Sequence, residues 1–244
     1  AQSGFSIIGG QKIDRYSIYV DRKRSLAKEW DLGYGMSYRF AKDRDFQTYD
    51  KVTGDIPTEN TDSRLREQTA NVYVSLSKNY ATGTSVSISA TGEYYTIGNY
   101  RKWAVYPQAS LTYVKSSEHL FQFSLSTDKT YPGYWDMQSS VSHLNGYTEL
   151  WGTPGLKPST AYNLNGNYIW KQKYIFGLFF MHTSDFFVQT GYQSTDRLAL
   201  IYKNTNWNYM QMWGTNVILP FKAGNWLDSR LTLVGMQAVS YTHL

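Results

Sequence analysis

Hydrophobic and polar residues alternate with a period of two along most of this chain. From Trp30 to Ala41, aromatic and aliphatic side chains occupy every even position, whereas the odd positions carry Asp, Gly, Ser, Arg and Ala. The stretches 70–77, 85–91 and 162–170 repeat this pattern. Because successive side chains of a β-strand point to opposite faces, each stretch places one face in an apolar medium and the other in a polar one.

The alternation predicts about ten long strands and almost no helix. Strands in soluble proteins average about 5–6 residues, whereas these alternate over roughly ten or more. The steps from Trp30 to Phe40, at about 3.4 Å each and tilted by about 40°, span about 26 Å, which matches the apolar band of a transmembrane barrel. The predicted strands cover residues 5–20, 29–41, 66–78, 84–95, 103–114, 120–127, 162–170, 174–187, 197–219 and 226–239.

The polar faces and the connections support the same fold class. Ser, Thr, Asn and Gly dominate the polar faces, as expected for a crowded or water-filled lumen, where a soluble sandwich would expose Lys and Glu. Connections alternate between short and long, as the periplasmic turns and extracellular loops of outer-membrane barrels do. The short ones lie at 79–83, 115–119, 171–173 and 220–225, and the longer ones at 42–65, 128–161 and 188–196.

The predicted fold is therefore an all-β, antiparallel transmembrane β-barrel segment with short periplasmic turns and longer extracellular loops. It occupies residues 1–239 as a partial outer-membrane barrel, and we recognise no plug domain in it. The alternation is not clean after residue 239, so we expect residues 240–244 to be a non-native tail. We interpret the sequence as a fragment at both ends.

Composition narrows the protein class further. The 244 residues include 22 Tyr, 11 Phe and 8 Trp, yet the mean hydropathy is −0.48. A disordered segment would be poor in aromatic residues, and the absence of cysteine excludes a disulfide scaffold. No apolar run approaches the 18 or so residues of a transmembrane helix. The alternation explains how a membrane protein can have a hydrophilic mean hydropathy, because only one face of each strand is apolar.

The sequence contains no recognisable motif for catalysis, metal binding or nucleic-acid binding. The sequence has no Gly-x-Ser-x-Gly motif and no phosphate-binding loop. Its candidate metal ligands include four histidines but no cysteine. His182 and Asp185 lie three residues apart and so on opposite faces of a strand. We predict no enzyme activity, no catalytic residue, no metal and no cofactor. We predict outer-membrane lipid and no nucleic acid as a partner, although for the basic run 22–24 itself a solvated turn is the simpler interpretation.

The predicted loop at 128–161 is rich in aromatic residues. Aromatic rings stack on sugar rings and on other planar or apolar faces, so a ligand-binding patch is one interpretation. Packing within the loop is the alternative. The candidate ligand-binding residues are Tyr131, Tyr134, Trp135, Tyr147 and Trp151.

From Trp103 onward the chain resembles a known family. Tyr106 to Tyr113 is similar to an aromatic-Pro-x-x-x-Leu-x-Tyr strand, and the segments 121–126 and 131–137 follow it. The most specific stretch, 152–158, resembles a G-N-P-x-L-K-P turn, with Thr in place of Asn. These motifs resemble the carboxyl-terminal barrel of TonB-dependent outer-membrane receptors of Bacteroidetes, the outer membrane protein beta-barrel family.

The resemblance implies a larger barrel of 22 strands filled by an amino-terminal plug that contacts TonB. It implies transport of a large solute such as a carbohydrate, a peptide or a siderophore across the cell outer membrane, and a surface lipoprotein as a further partner. A complete small ten-stranded pore or adhesin remains the main alternative. A secreted β-sandwich that binds glycans is a third, which predicts shorter strands and charged exposed faces.

Overall fold

The computed structural model describes residues 4–53 and 59–241, most of which lie in strands of one sheet. Two three-residue 3₁₀ helices, Ala27–Glu29 and Trp135–Met137, accompany the strands, and no helix within the described ranges could cross a membrane. The strands are β1 (Gly4–Ser25), β2 (Trp30–Thr53), β3 (Thr61–Asn79), β4 (Ser85–Ile97), β5 (Tyr100–Ser116), β6 (His119–Thr130), β7 (Val141–Asn145), β8 (Thr148–Trp151), β9 (Ser159–Trp170), β10 (Tyr174–Gln193), β11 (Leu200–Ala223) and β12 (Leu227–Tyr241).

The ten predicted long strands are all present, but the prediction that residues 128–161 form only a loop is wrong. This segment contains the short strands β7 and β8, which brings the number of described strands to twelve. The two strands have five and four residues and pair with each other as a hairpin. So short a segment carries too few positions for alternation to distinguish a strand from a loop.

The predicted connection between β2 and β3 is also shorter than expected. Residues 42–53 and 61–65 of the predicted loop lie in β2 and β3, because both strands continue beyond their apolar segments. In this part of β2 a buried Asp43 stands between the exposed Lys42 and Arg44. Both faces are polar there, so the period of two persists in the backbone while the hydrophobic pattern disappears.

Antiparallel pairing aligns the apolar residues of neighbouring strands on one face of the sheet. The order of the long strands is β1-β2-β3-β4-β5-β6-β9-β10-β11-β12. Leu32 lies beside Leu76, Leu76 beside Ile88, and Ile88 beside Ala109. We call this side the apolar face. Its side chains are exposed, with 65 % of Val72 and 59 % of Ile88 accessible.

The two ends of the sheet differ in their connections. At one end, which we call the turn end, short connections join β1 to β2, β3 to β4, β5 to β6, β9 to β10 and β11 to β12. At the opposite end, the loop end, the connections are 54–60, 98–99, 131–158 and 194–199. The predicted alternation of short and longer connections holds except at 98–99, where two residues suffice.

The sheet is open in the described part of the chain. There β1 pairs only with β2, and β12 pairs only with β11. The ladder of β12 includes Ser240 and Tyr241, which pair with Met210 and Tyr209. The last three residues of the predicted tail, 242–244, lie outside the described residues.

The hairpin β7–β8 connects the two sides of this open sheet at the loop end. Strand β8 adds in parallel to β11 at Leu200–Lys203, on the edge that β12 occupies nearer the turn end. Across the opening, the carbonyl of Val141 in β7 accepts hydrogen bonds from Tyr49 Oη at 2.8 Å and Gln47 Nε2 at 3.3 Å, both in β2. The hairpin therefore spans from β11 to β2.

Gly152, which ends the hairpin, is expected to tolerate no side chain. Its amide donates to the carbonyl of Ser140 at 3.0 Å, and a Cβ at this position would overlap the backbone carbonyl oxygen of Gln138. Since a backbone atom cannot rotate away, Gly152→Ala must displace the segment that follows β8. We expect limited proteolysis of the folded variant to cut within residues 138–158 several times faster than in the parent protein.

Gly146 supplies the matched control for this substitution. It lies in the turn of the same hairpin, and a Cβ there would have no heavy atom within 4 Å. Gly146→Ala should therefore leave the cleavage rate unchanged. Equal rates for the two variants would contradict the packing described for Gly152.

Candidate binding site at the loop end

The segment after β6 turns back over the polar face of β2, β3 and β4. Tyr131 Oη donates to both carboxylate oxygens of Glu93, at 3.1 and 2.9 Å. Its ring packs against Tyr95, with 4.8 Å between the ring centroids. Tyr95 also belongs to a small hydrophobic core with Met137 and Leu156, so both parts of the 131–158 connection pack against β4. This core holds the segment in place.

A second tyrosine anchors the segment to β3. Tyr134 Oη donates a short hydrogen bond to the Glu67 carboxylate, whose side chain is 7 % exposed. Burial, together with the nearby Glu67 charge, raises the pKa of Tyr134 to about 12. Burial and the Glu93 carboxylate likewise raise the pKa of Tyr131. Both phenols therefore keep their protons near neutral pH and remain donors.

Two cations balance these two buried carboxylates. Arg39 of β2 forms an ion pair with Glu67 at 3.4 Å, and its guanidinium lies 5.6 Å from the centroid of the Tyr131 ring. Lys129 of β6 forms a close ion pair with Glu93 and lies 4.3 Å from the centroid of the Tyr106 ring. Each carboxylate thus accepts from a tyrosine and faces a cation, the arrangement that makes burial of charge tolerable.

A cavity of about 380 Å³ lies between this segment and the polar face. Its wall combines aromatic rings, two guanidinium groups and one carboxylate. The principal lining residues are Gln11, Arg15, Arg39, Glu67, Tyr131 and Trp135. Such a wall can stack against a flat or apolar surface while it donates and accepts hydrogen bonds.

The structure brings three of the five predicted aromatic residues to this cavity. Tyr131, Tyr134 and Trp135 all line it. Trp151 lies in β8, where its indole Nε1 donates to Glu149 Oε2 at 2.8 Å. Tyr147 stands in the turn of the hairpin with 65 % of its surface exposed. The predicted patch is therefore divided between a cavity and a hairpin, and its role in binding stays a prediction.

Sequence reasoning did not select the charged partners of these tyrosines. Arg39, Glu67 and Glu93 all occupy polar-face positions of β2, β3 and β4, among residues that are mostly Ser, Thr, Asn and Gly. The sequence does contain a signal for these residues, since a charged residue is unusual on a face of mostly small polar residues. What the sequence does not contain is the register that aligns the three strands.

An acidic pair is buried beside β1. Gln11 Nε2 donates to Asp43 Oδ1 at 3.0 Å and to Asp45 Oδ2 at 3.2 Å, and the two residues are 2 % and 0 % exposed. Burial, with Asp45 as a close neighbour, raises the pKa of Asp43 to about 7. A proton on Asp43 relieves the repulsion between the two carboxyl groups at acidic to neutral pH. Across the residues described, no cluster of three or more His, Cys, Asp or Glu side chains is arranged to hold a metal.

Sequence comparison assigns the chain to a family. The outer membrane protein beta-barrel family matches residues 7–242, which is nearly the whole chain. The chain belongs to this family. Its location is accordingly the outer membrane, and the predicted fold class is confirmed. The secreted β-sandwich alternative is wrong.

Solved structures share the fold at low sequence identity. The FrpB iron transporter from Neisseria meningitidis is 12 % identical, with a TM-score of 0.58, and the match covers 96 % of this chain and 36 % of that one. The siderophore receptor PirA from Pseudomonas aeruginosa is 10 % identical, with a TM-score of 0.62 and coverages of 94 % and 44 %. The chain thus spans less than half the length of these proteins. No curated protein shows significant similarity to it.

Family membership orients the sheet of this outer membrane protein. In outer-membrane barrels the outward face is an apolar band against lipid, the turns are periplasmic and the longer loops are extracellular. The apolar face of this sheet therefore meets lipid, and its loop end lies at the cell surface. The cavity at the 131–135 segment accordingly opens near the extracellular mouth of the wall.

Proposed function

We propose that this chain forms part of the barrel wall of a TonB-dependent outer-membrane transporter and captures a solute at its extracellular mouth. The observation that carries the proposal is the cavity of about 380 Å³ between the polar face and the 131–135 segment. Its position on the inward, polar face at the loop end is where an incoming solute would first meet the wall. The role is non-enzymatic, since capture and passage break no bond.

The lining chemistry supports a solute with ring or apolar faces and several hydrogen-bonding groups. Trp135 and Tyr131 supply aromatic surfaces, and Arg15 and Arg39 supply donors for oxygen-rich groups. A carbohydrate, a peptide or a siderophore meets this description. Two of the structural neighbours are named as an iron transporter and a siderophore receptor, which favours a siderophore without deciding the class.

The remaining parts of the transporter belong to the same proposal. Strands β1 and β12 each leave one edge unpaired in the described part of the sheet, which supports a wall that continues into further strands. A complete small ten-stranded pore or adhesin would need those two edges to pair. The plug, its contact with TonB, a surface lipoprotein partner and an origin in Bacteroidetes follow from the family resemblance.

The test is solute binding and uptake by the full-length transporter carrying Trp135→Ala. Loss of one stacking surface should weaken binding about tenfold. Trp151→Ala removes an indole of the same size from the hairpin, away from the cavity, and should change affinity little. Unchanged binding and uptake in Trp135→Ala, or an equal loss in Trp151→Ala, would contradict capture at this cavity.

A further inference from the structure

Five basic side chains form a patch at the loop end of the apolar face, directly above the lipid-facing residues of β1, β2 and β3. All five are exposed to solvent. Together with Asp14, Asp43, Leu65 and the 98–99 turn they line an open depression of about 690 Å³. The basic patch consists of Lys12, Lys42, Arg44, Arg64 and Arg66.

The strand register places these like charges side by side. Lys12 pairs with Arg44, and Arg44 pairs with Arg64, which makes one continuous row across three strands. In the adjacent row Lys42 stands between Asp14 of β1 and Arg66 of β3. Like charges directly opposite each other destabilise a sheet, so this arrangement needs negative charge nearby.

The acidic residues of the described chain supply only part of that charge. Asp62 accepts two hydrogen bonds from the Arg44 guanidinium, at 3.1 and 2.8 Å, and lies 3.7 Å from Arg64. Asp14 lies 3.8 Å from Lys12. Within the described ranges, neither Lys42 nor Arg66 has an acidic side chain at ion-pair distance. The patch thus retains excess positive charge around these two residues.

The surface immediately below the patch is apolar and aromatic. Phe40 and Tyr16 form the next row of β2 and β1, and the Lys42 ammonium lies 5.6 Å from the centroid of the Phe40 ring. Tyr16 and Ile18 are both 66 % exposed. A ligand that fits both surfaces must carry anionic groups at one end and hydrocarbon at the other.

We propose that the basic patch binds the phosphate groups of a phosphorylated glycolipid of the outer leaflet, whose acyl chains cover the apolar face beneath. Arg and Lys are the residues that proteins use for phosphate, and each basic residue near a membrane surface strengthens anionic lipid binding. A soluble polyanion would leave the aromatic and aliphatic surface below the patch uncovered. The site lies on the opposite face of the sheet from the solute cavity and does not depend on it.

The test measures binding of lipid A, a bisphosphorylated glycolipid, to the full-length protein in detergent by native mass spectrometry. The variant is Lys42→Gln with Arg66→Gln, because both residues are exposed and neither forms an ion pair with a described acidic side chain. We expect binding to weaken at least tenfold. The control is Arg22→Gln with Arg24→Gln, two exposed basic residues of the same face at the turn end, which should bind as the parent does.

Two further probes distinguish the source of the phosphate. Lipid A stripped of its phosphates should bind the parent protein at least tenfold more weakly, and inorganic phosphate at millimolar concentration should not displace intact lipid A. The proposal is overturned by equal binding of the two double variants, by tight binding of the dephosphorylated lipid, or by displacement with free phosphate. The charge-conserving variant Lys42→Arg with Arg66→Lys should retain binding, and its failure would also overturn the proposal.

Discussion

Glu93→Leu is expected to lower the free energy of unfolding by about 3 kcal/mol and to loosen the segment after β6 around Tyr131. The Glu93 side chain is only 3 % exposed, and it faces Lys129, Tyr131 and Tyr106. Its loss leaves a largely buried ammonium group without a counter-charge and two phenols without their acceptor. Urea unfolding in lipid vesicles measures the first effect, and limited proteolysis near residue 131 measures the second.

A double variant separates the charge from the packing. If the uncompensated ammonium group causes the loss, Glu93→Leu combined with Lys129→Met should be more stable than Glu93→Leu alone. The hydrogen bonds of the tyrosines are absent in both variants, so they cannot account for a difference. Additive effects of the two substitutions would contradict a coupled ion pair between β4 and β6.

Val74→Arg is expected to destabilise the protein by about 2–4 kcal/mol and to impair its insertion into membranes. Val74 lies in β3 near the middle of the apolar rows, opposite Tyr34 of β2 and Ala90 of β4, and is 51 % exposed. An arginine there places a charge among lipid chains, with water too far away to solvate it. Folding yield in lipid vesicles, followed by electrophoretic mobility without heating, measures the effect.

The adjacent residue provides the control for this charge. Tyr73→Arg introduces the same guanidinium group on the polar face of the same strand. The arginine side chain is similar in size to the tyrosine that it replaces. Because alternate residues face opposite sides, this arginine avoids the lipid and should cost much less. Equal loss of folding yield in the two variants would contradict the assignment of the lipid-facing side.

Most of the fold could be predicted from the sequence because membrane and lumen impose opposite polarity on alternate residues. That signal is strong from Trp30 to Phe40 and ends where β2 and β3 rise beyond the lipid. There Lys42 and Asp43 are both polar although one is exposed and the other buried. Strands β7 and β8 could not be predicted for another reason, since the pairing of β8 with β11 is a contact between distant parts of the chain.

The candidate site was predictable only in part. Its aromatic side chains could be selected by composition, which cannot distinguish Trp135 at the cavity from Trp151 in the hairpin. Their separation depends on the turn at 133–137 and on the core around Met137 and Leu156, which packs against Tyr95 of β4. The partners Glu67 and Glu93 lie far away in sequence, and only the register of three strands brings them under the tyrosines.

The hairpin β7–β8 makes the rim of the wall mechanically continuous where the sheet itself is open. It is held to β11 by a backbone ladder and to β2 by side-chain hydrogen bonds that Gln47 and Tyr49 form with the three consecutive residues 141–143 of β7. A force on the segment that precedes it is therefore transmitted to both sides of the opening. The loop cannot swing outward as a free flap, and movement at the mouth must be shared with the circumference of the wall.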